Sequence, residues 1–554
     1  MPPSSEDLSR RSLRSVRISP WFCSFILLFI IGAVWALTTP PYGAPDEASH
    51  IIKASSVGAG NLFPEAQAEY LGGGGADTRQ RLSAYNVPVS YSYEWLCFIG
   101  KTNKTPKCAG DLIAKHPSES IATYVGGYPP LYYGLVGWPA SVFPAPQSFY
   151  LMRLASAALV AAFTASAMQS ALARRRSRLL LLGVLVSITP DVFSLGGSIN
   201  PNGFEIAAAI CFWATLLVLL TEPEASLNTT HYRRLILRAT ISGSALALAR
   251  PISPLFVILI TATVLLLARR DLVKQLIRLR TTWAGIALLT LAGTVAGVWT
   301  ITQKPNQDFI HYAPGVARPD LLLALRELFG HVPNHLRDMI GLFGWYELVP
   351  PASTLIAWIG SLAVITVLAF AISKRREQIT LLALAFTIVL LPVILYIFVS
   401  ETNGPGWVGR YGMPLAVGFP LIGALILDHH REKLGGITKG MTTFIVIAIG
   451  VGQLSAYAKV AHRYIVGTLG PILYPLRSGW SPPLPAWLLL VSIAIALFTL
   501  TWWVRNSITS ERGSPIWDRP ADVEDRAIPG HQEGETEPER SRSRKSHCDV
   551  DCLG

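Results

Sequence analysis

Long apolar runs alternate with short connections that carry most of the basic residues. The first run, from Trp21 to Leu37, is uncharged and suits the ~30 Å hydrocarbon layer of a bilayer. It follows Arg10, Arg11, Arg14 and Arg17 and lacks a small-residue cleavage signal, which predicts a retained anchor with a cytoplasmic amino terminus, residues 1–20. Further runs are read at 149–173, up to 189, 204–220, 283–301, 352–372, 381–399, 411–427, 442–459 and 486–504. The stretch 235–268 is broken at Arg250-Pro251 and is read as two spans that meet near the outer surface. Arg174 to Arg178, Arg233 to Arg238, Arg269 to Arg280, Lys374 to Arg376 and Arg431 to Lys439 then fall inside. The pattern predicts an all-α polytopic membrane protein with about twelve transmembrane helices between residues 21 and 505 and both termini cytoplasmic.

Three regions interrupt this rhythm. Residues 38–146 contain no span and form a long first extracytoplasmic loop, and 302–351 form a second. Residues 506–554 are charged and poor in aromatics, as a disordered cytoplasmic tail would be. Within the first loop, Gly72 to Gly75 reads as a flexible turn, and Tyr124 to Trp138 is apolar and aromatic but punctuated by glycine and proline, which suits the membrane interface. After Pro45, Ala48 to Ile52 continue as a helix with Asp46 or Glu47 in its first turn. Asn200 followed by Pro201 reads as a helix cap and first helical residue. Leu321 to Leu336 has an amphipathic pattern.

Composition agrees with the spans. About half of the 554 residues are apolar and only 15% are charged, which excludes a soluble multidomain protein. The net charge of +12 follows from the inner loops and from contact with anionic lipid, so no nucleic-acid partner is expected. Six cysteines are too few for a disulfide framework. Cys97 and Cys108 share the first outer loop, where one bridge between them remains open; Cys548 and Cys552 lie in the tail.

The topology, drawn from basic clusters alone, puts the unusual polar residues on one face. Asp46, Glu47 and His50 open the first loop, with carboxylates at the hydrocarbon boundary, where an ionisable group needs a use. Tyr128, Arg153, Asp191, Asn200, Asn202, Glu205, Arg250, Trp345, Glu347, Glu401, Asn403, Arg410 and Tyr411 fall on the same side. Arginine forks and a helix N-terminus suit phosphate or pyrophosphate. A carboxylate near them suits removal of a proton from a hydroxyl nucleophile, and aromatic faces suit sugar rings or isoprenoid chains. Structural roles compete with each assignment: Arg153 and Arg250 snorkelling to headgroups, Asn200 and Asn202 capping, His50 sitting in a loop.

Pro45-Asp46-Glu47-x-x-His50, Tyr128-Pro-Pro-Leu-Tyr-Tyr133, Asn200-Pro-Asn202, Ala249-Arg-Pro251 and Gly409-Arg-Tyr411 resemble a family of bacterial, often actinobacterial, polytopic membrane proteins. The layout is similar to that of the GT-C glycosyltransferase superfamily, whose members carry an acidic motif in the first external loop and use polyprenyl-phosphate-linked sugars. The resemblance implies that Asp46 acts as base, that Glu47 supports it or shares an ion with it, and that Arg410, Arg250 and Arg153 hold the donor phosphate. His50, Tyr128, Asn200, Asn202, Trp345, Glu347 and Tyr411 would line the substrates. It also implies an inverting transfer at the extracytoplasmic face to a cell-envelope glycan or lipid. Asp-Glu in place of Asp-x-Asp leaves a divalent cation, Mg or Mn, open. A flippase or transporter of lipid-linked saccharide and a glycan polymerase or ligase are the competing readings.

Overall fold

The computed structural model describes residues 19–72, 77–88, 90–115, 119–174, 177–222, 229–303, 309–311, 321–399, 407–473 and 479–510. The chain divides into two units, Met1–Gly513 and Ser514–Gly554, and the second lies outside the described residues. So do the Gly73 to Gly75 part of the glycine turn, Arg175 and Arg176, Glu401 and Asn403, and nearly all of the amino terminus and polar tail.

Helix α1, Pro20–Thr38, is capped by the Ser19 side chain, which accepts from Phe22 N–H, and begins on Pro20. Helix α2, Glu47–Gly58, is the helix expected after Pro45. The first loop then departs from the all-α expectation. Strands β1 (Ala66–Gly72), β2 (Asp77–Val87), β3 (Ser90–Ser92), β4 (Ile113–Lys115) and β5 (Glu119–Thr123) follow. The pairs β1–β2, β2–β5 and β3–β4 are antiparallel, and Phe309–His311 of the second loop, β6, joins β2. Alternating residues such as Ser83, Tyr85 and Val87 are buried, the period of a half-covered sheet. Cys97 and Cys108 are bridged, with Cα atoms 6.1 Å apart.

The helices continue with α3 (Leu131–Gly137), α4 (Pro139–Val142), α5 (Gln147–Leu172), α6 (Leu180–Ser187), α7 (Pro190–Gly196), α8 (Pro201–Thr221), α9 (Thr229–Ala247), α10 (Ser253–Leu265), α11 (Arg270–Leu276) and α12 (Arg280–Gln303). Then come α13 (Leu321–Ile340), α14 (Ala352–Ile372), α15 (Arg375–Val399), α16 (Met413–Ala416), α17 (Gly418–His429), α18 (Arg431–Leu434), α19 (Ile437–Val466) and α20 (Ala486–Thr509). Helix α20 extends to Thr509, a few residues past the expected end of the helical region at 505.

Among the described residues nine helical segments are long and apolar enough to cross a membrane, which makes this a multi-pass membrane protein. The expected twelve are not reproduced. The third span is split by Pro190 into α6 and α7; α9 carries Arg233, Arg234 and Arg238 in its first half; and α10, with 13 residues, is shorter than the roughly 20 a straight crossing needs. The break at Arg250-Pro251 is present, between Ala247 and Ser253.

Helix α8 is buried along nearly its whole length and forms the centre, flanked by α5, α7 and α9. Helix α1 lies along α5 and against α20, and α14, α17, α19 and α20 pack in a second group. Helix α12 instead exposes Trp283, Leu288, Leu291, Val295 and Val298, an apolar face of the kind that hydrocarbon covers. Helix α2 crosses α3 at contact distance because Gly137 rests on the Ala54 carbonyl, a place where a Cβ would overlap the backbone.

Candidate active site

The C-terminal end of α1 and the N-terminal ends of α2, α5, α8 and α10 come together, and the loop before α16 closes over them. Two neighbouring acids leave this junction in different directions. Glu47 is fully buried, and both its oxygens meet Arg153, at 2.7 Å from Nε and 2.6 Å from Nη2. It also accepts from the backbone N–H of Tyr42 and Ile199. Arg153 spends its remaining three donors on the carbonyls of Ala36, Thr39 and Pro40. All five guanidinium N–H groups are therefore used within the fold. Arg153 has none left for a donor phosphate, which corrects its expected role, and Glu47 joins the start of α2 to α1, α5 and the approach to α8.

Asp46 is the opposite case. It precedes α2 with φ 64°, a left-handed conformation unusual for a residue with a Cβ. Its side chain keeps 22% of its surface open. Oδ1 accepts from the Tyr124 hydroxyl at 2.7 Å and Oδ2 from Arg410 Nη2 at 2.5 Å. Burial pushes the carboxyl upward, but Arg410 and the Tyr124 hydroxyl outweigh it and hold Asp46 below the usual carboxylate range, so it is an anion at neutral pH. Tyr42 and Tyr346, the other described non-glycine residues with positive φ, lie beside it in the junction. Such strain, of about 1–3 kcal/mol per residue, gathers where geometry serves a site.

Arg410 lies over the rings of Tyr346 and Tyr411, at 5.3 and 5.4 Å. Arg250 shares the Tyr411 ring at 4.5 Å and approaches Tyr128 at 5.8 Å. Its Nη1 meets buried Glu205 at 3.2 Å, and Glu205 also accepts from Ser253. Among the described residues, Nε of Arg250 and Nε of Arg410 are buried without a hydrogen-bond partner. Each of the two guanidiniums that share the Tyr411 ring thus keeps one donor unpaired beside its carboxylate partner.

His50 reaches the Tyr133 hydroxyl through Nδ1 at 2.8 Å. Burial, reinforced by Arg250, Arg410 and Lys53 against the pull of Asp46, brings its imidazole down to about 3. It is therefore neutral here and adds no charge beside Asp46 and the two arginines.

Other expected substrate residues turn inward. Asn200 caps α8 by accepting from Asn202 N–H, donates to the Pro45 carbonyl and also accepts from the Asn202 amide. Both asparagines are buried, and Asn200 ties the start of α8 to the turn that carries Asp46. Glu347 pairs with Arg463 at 3.1 Å and accepts from Gly100 N–H, pinning the disulfide loop to α19. Trp345 donates to the Tyr42 carbonyl and stacks on Trp95 with centroids 5.0 Å apart. Tyr128 and Tyr411 do sit at the arginines.

Lys53, Tyr124 and Tyr346 were not singled out from the sequence. Lys53 is fully buried, donates to the carbonyls of Val125, Gly126 and Tyr128, and faces the rings of Tyr85, Tyr133 and Trp299. Burial lowers its ammonium well below the ordinary lysine range, yet three carbonyls call for three N–H donors. The signal available was its position one turn after His50 in α2, immediately after Ile51 and Ile52. Tyr124 lay in the segment assigned to the membrane interface; it begins the turn that Lys53 gathers.

A cation held between Asp46 and Glu47 does not fit, because both Glu47 oxygens are committed to Arg153. Among the described residues, no three His, Cys, Asp or Glu side chains assemble as a metal site elsewhere.

No curated protein matches the sequence. Two solved structures are similar to the chain: ArnT from Cupriavidus metallidurans bound to undecaprenyl phosphate, at 11% identity and a TM-score of 0.38, and the apo form, at 13% and 0.37. Each similarity covers 87% of this chain, and 76% and 77% of the ArnT chain, respectively. At this distance neither assigns a role to any residue here. The family model described as predicted membrane protein (DUF2142) matches residues 29–419, which contain Asp46, Arg250, Arg410 and the helices that bring them together, so the chain belongs to that family.

Proposed function

We propose that this protein is a membrane glycosyltransferase that moves a sugar from a polyprenyl-phosphate donor to a hydroxyl of a cell-envelope glycan or lipid, at the extracytoplasmic face and with inversion. The observation that carries the reading is the contrast within one junction: Asp46 is a partly open carboxylate, and next to it two arginines on Tyr411 keep buried, unused Nε donors. In the reaction the acceptor oxygen forms a bond to the anomeric carbon as the bond from that carbon to the phosphate oxygen breaks. The bonding pair leaves with the phosphate, where Arg410 and Arg250 balance the growing charge. The proton from the acceptor hydroxyl passes to Asp46. Glu47 and Arg153 hold the turn that presents Asp46. The surrounding apolar helices support access for a lipid carrier, and the basic clusters on the opposite ends of the spans support the extracytoplasmic side.

The test is transfer from radiolabelled polyprenyl-phosphate sugars to envelope acceptors in membranes with matched amounts of wild type or Asp46→Asn. Loss of label transfer in the variant, at equal thermal stability, is expected. Wild-type-dependent movement of lipid-linked sugar across the bilayer with no donor consumed would replace the enzyme with a flippase.

A further inference from the structure

Arg410 is asked to do two incompatible things. In the structure it holds Oδ2 of Asp46, through Nη2 at 2.5 Å, in a nearly buried pair. A carboxylate so paired is a weak acceptor for a proton, since the cation that stabilises its charge must be overcome first. Yet Arg410 is also one of the two forks whose Nε is buried and unused beside Tyr411. Arg250 has its own buried carboxylate, Glu205, which is additionally fixed by Ser253, so that pair is anchored on both sides. Asp46 is tied to its arginine from one side and to a tyrosine hydroxyl on the other. Of the two arginines, Arg410 is the one with a partner open to solvent.

We infer that Arg410 is shared between Asp46 and the anionic phosphate of the donor, so that donor binding draws the guanidinium from Oδ2 and frees that oxygen for the acceptor hydroxyl. The inference rests on the glycosyltransferase reading and adds an order to it: phosphate lipid first, acceptor second. Before the donor arrives the base is restrained, and a hydroxyl or water at the site is not activated. Tyr124 keeps Asp46 in position during the exchange, because its bond to Oδ1 does not involve Arg410.

A competing carboxylate lowers the affinity of Arg410 for phosphate, so the variant that removes the base should bind the lipid more tightly. Asp46→Asn is suited to the test because asparagine tolerates the left-handed backbone at this position. The measurement is equilibrium binding of a short-chain polyprenyl monophosphate, with inorganic phosphate as a second probe, to the full-length protein in nanodiscs, with thermal midpoints recorded for each form. Asp46→Asn is expected to raise affinity by about tenfold or more, and the gain is expected to vanish in an Arg410→Met background. Arg410→Lys, which keeps the charge but loses the fork, provides the second background.

Equal or weaker binding by Asp46→Asn overturns the inference, since Arg410 would then serve both anions at once. So does a gain that persists in both Arg410 backgrounds, which would reflect the charge of the site as a whole. Binding to neither wild type nor Asp46→Asn removes the phosphate-donor reading and this inference with it. If the coupled gain appears with both probes, tighter binding of the lipid form assigns the seat to a headgroup and equal binding assigns it to free phosphate.

Discussion

Asp46 and Glu47 are neighbours, each paired with an arginine from a distant part of the chain, and they have opposite fates. The Glu47–Arg153 pair is wholly buried, and every donor of the arginine is satisfied. The Asp46–Arg410 pair is partly open, sits on a left-handed backbone and leaves a donor unused. A saturated buried pair has nothing to give a ligand and holds chain segments together. An unsaturated pair at an opening can exchange partners. The difference lies in how many bonds the surroundings supply, since the charges are the same.

That contrast can be broken from either side. The largest effect is expected from Asp46→Asn: transfer should fall by about 10²–10⁴-fold with the thermal midpoint unchanged. A midpoint that drops while the surviving protein keeps its rate would make Asp46 a structural acid like its neighbour. Arg153→Met should do the reverse and cost about 3–5 kcal/mol of stability, because it leaves Glu47 charged and buried. Folded yield and thermal midpoint in detergent read this out; an unperturbed midpoint with lost lipid binding would return Arg153 to the phosphate.

Smaller changes sharpen the comparison. Tyr124→Phe removes one hydrogen bond to a charged oxygen, worth about 1.5–3 kcal/mol, and should slow transfer by roughly ten- to a hundredfold without changing phosphate-lipid affinity. Equal losses in rate and affinity would mean that Tyr124 holds Arg410 instead. The mildest effect concerns pH. With the folded imidazole of His50 at about 3 and the ordinary value at 6.5, the unfolded chain binds the extra proton throughout the interval between them. Stability contributed by the neutral ring is then present above 6.5 and lost as pH falls, by about 2 kcal/mol between pH 7 and 5. Asp46, also shifted downward, acts in the same direction but only below the carboxylate range. Replacing His50 with phenylalanine should flatten the dependence measured between pH 7 and 5; an unchanged slope would assign it to another group.

The residues of the junction were partly legible before any fold was known. Asp46, Arg250, Arg410, Tyr128 and Tyr411 share one face by the rule that places basic clusters inside, and they meet in space. The same rule grouped Arg153, Glu347, Asn200 and Asn202 with them, because it sorts residues by side of the membrane and says nothing about which atoms are already satisfied. Tyr124 and Lys53 escaped notice for a related reason: an aromatic near an interface and a lysine in a helix are ordinary until their partners are known. The β-sheet of the first loop was missed because short strands carry a weak alternating signal beside twenty-residue apolar runs.

Hydrophobic periodicity and the distribution of arginine and lysine, both local properties, determined by themselves that the chain is a multi-pass membrane protein with a long polar loop after its first helix. The sharing of a junction by Asp46 and Arg410, 364 positions apart in sequence, was decided by helix packing alone. So was the choice of which acid is sealed and which stays open. Those outcomes depend on counting hydrogen bonds in three dimensions, and a one-dimensional pattern contains no such count.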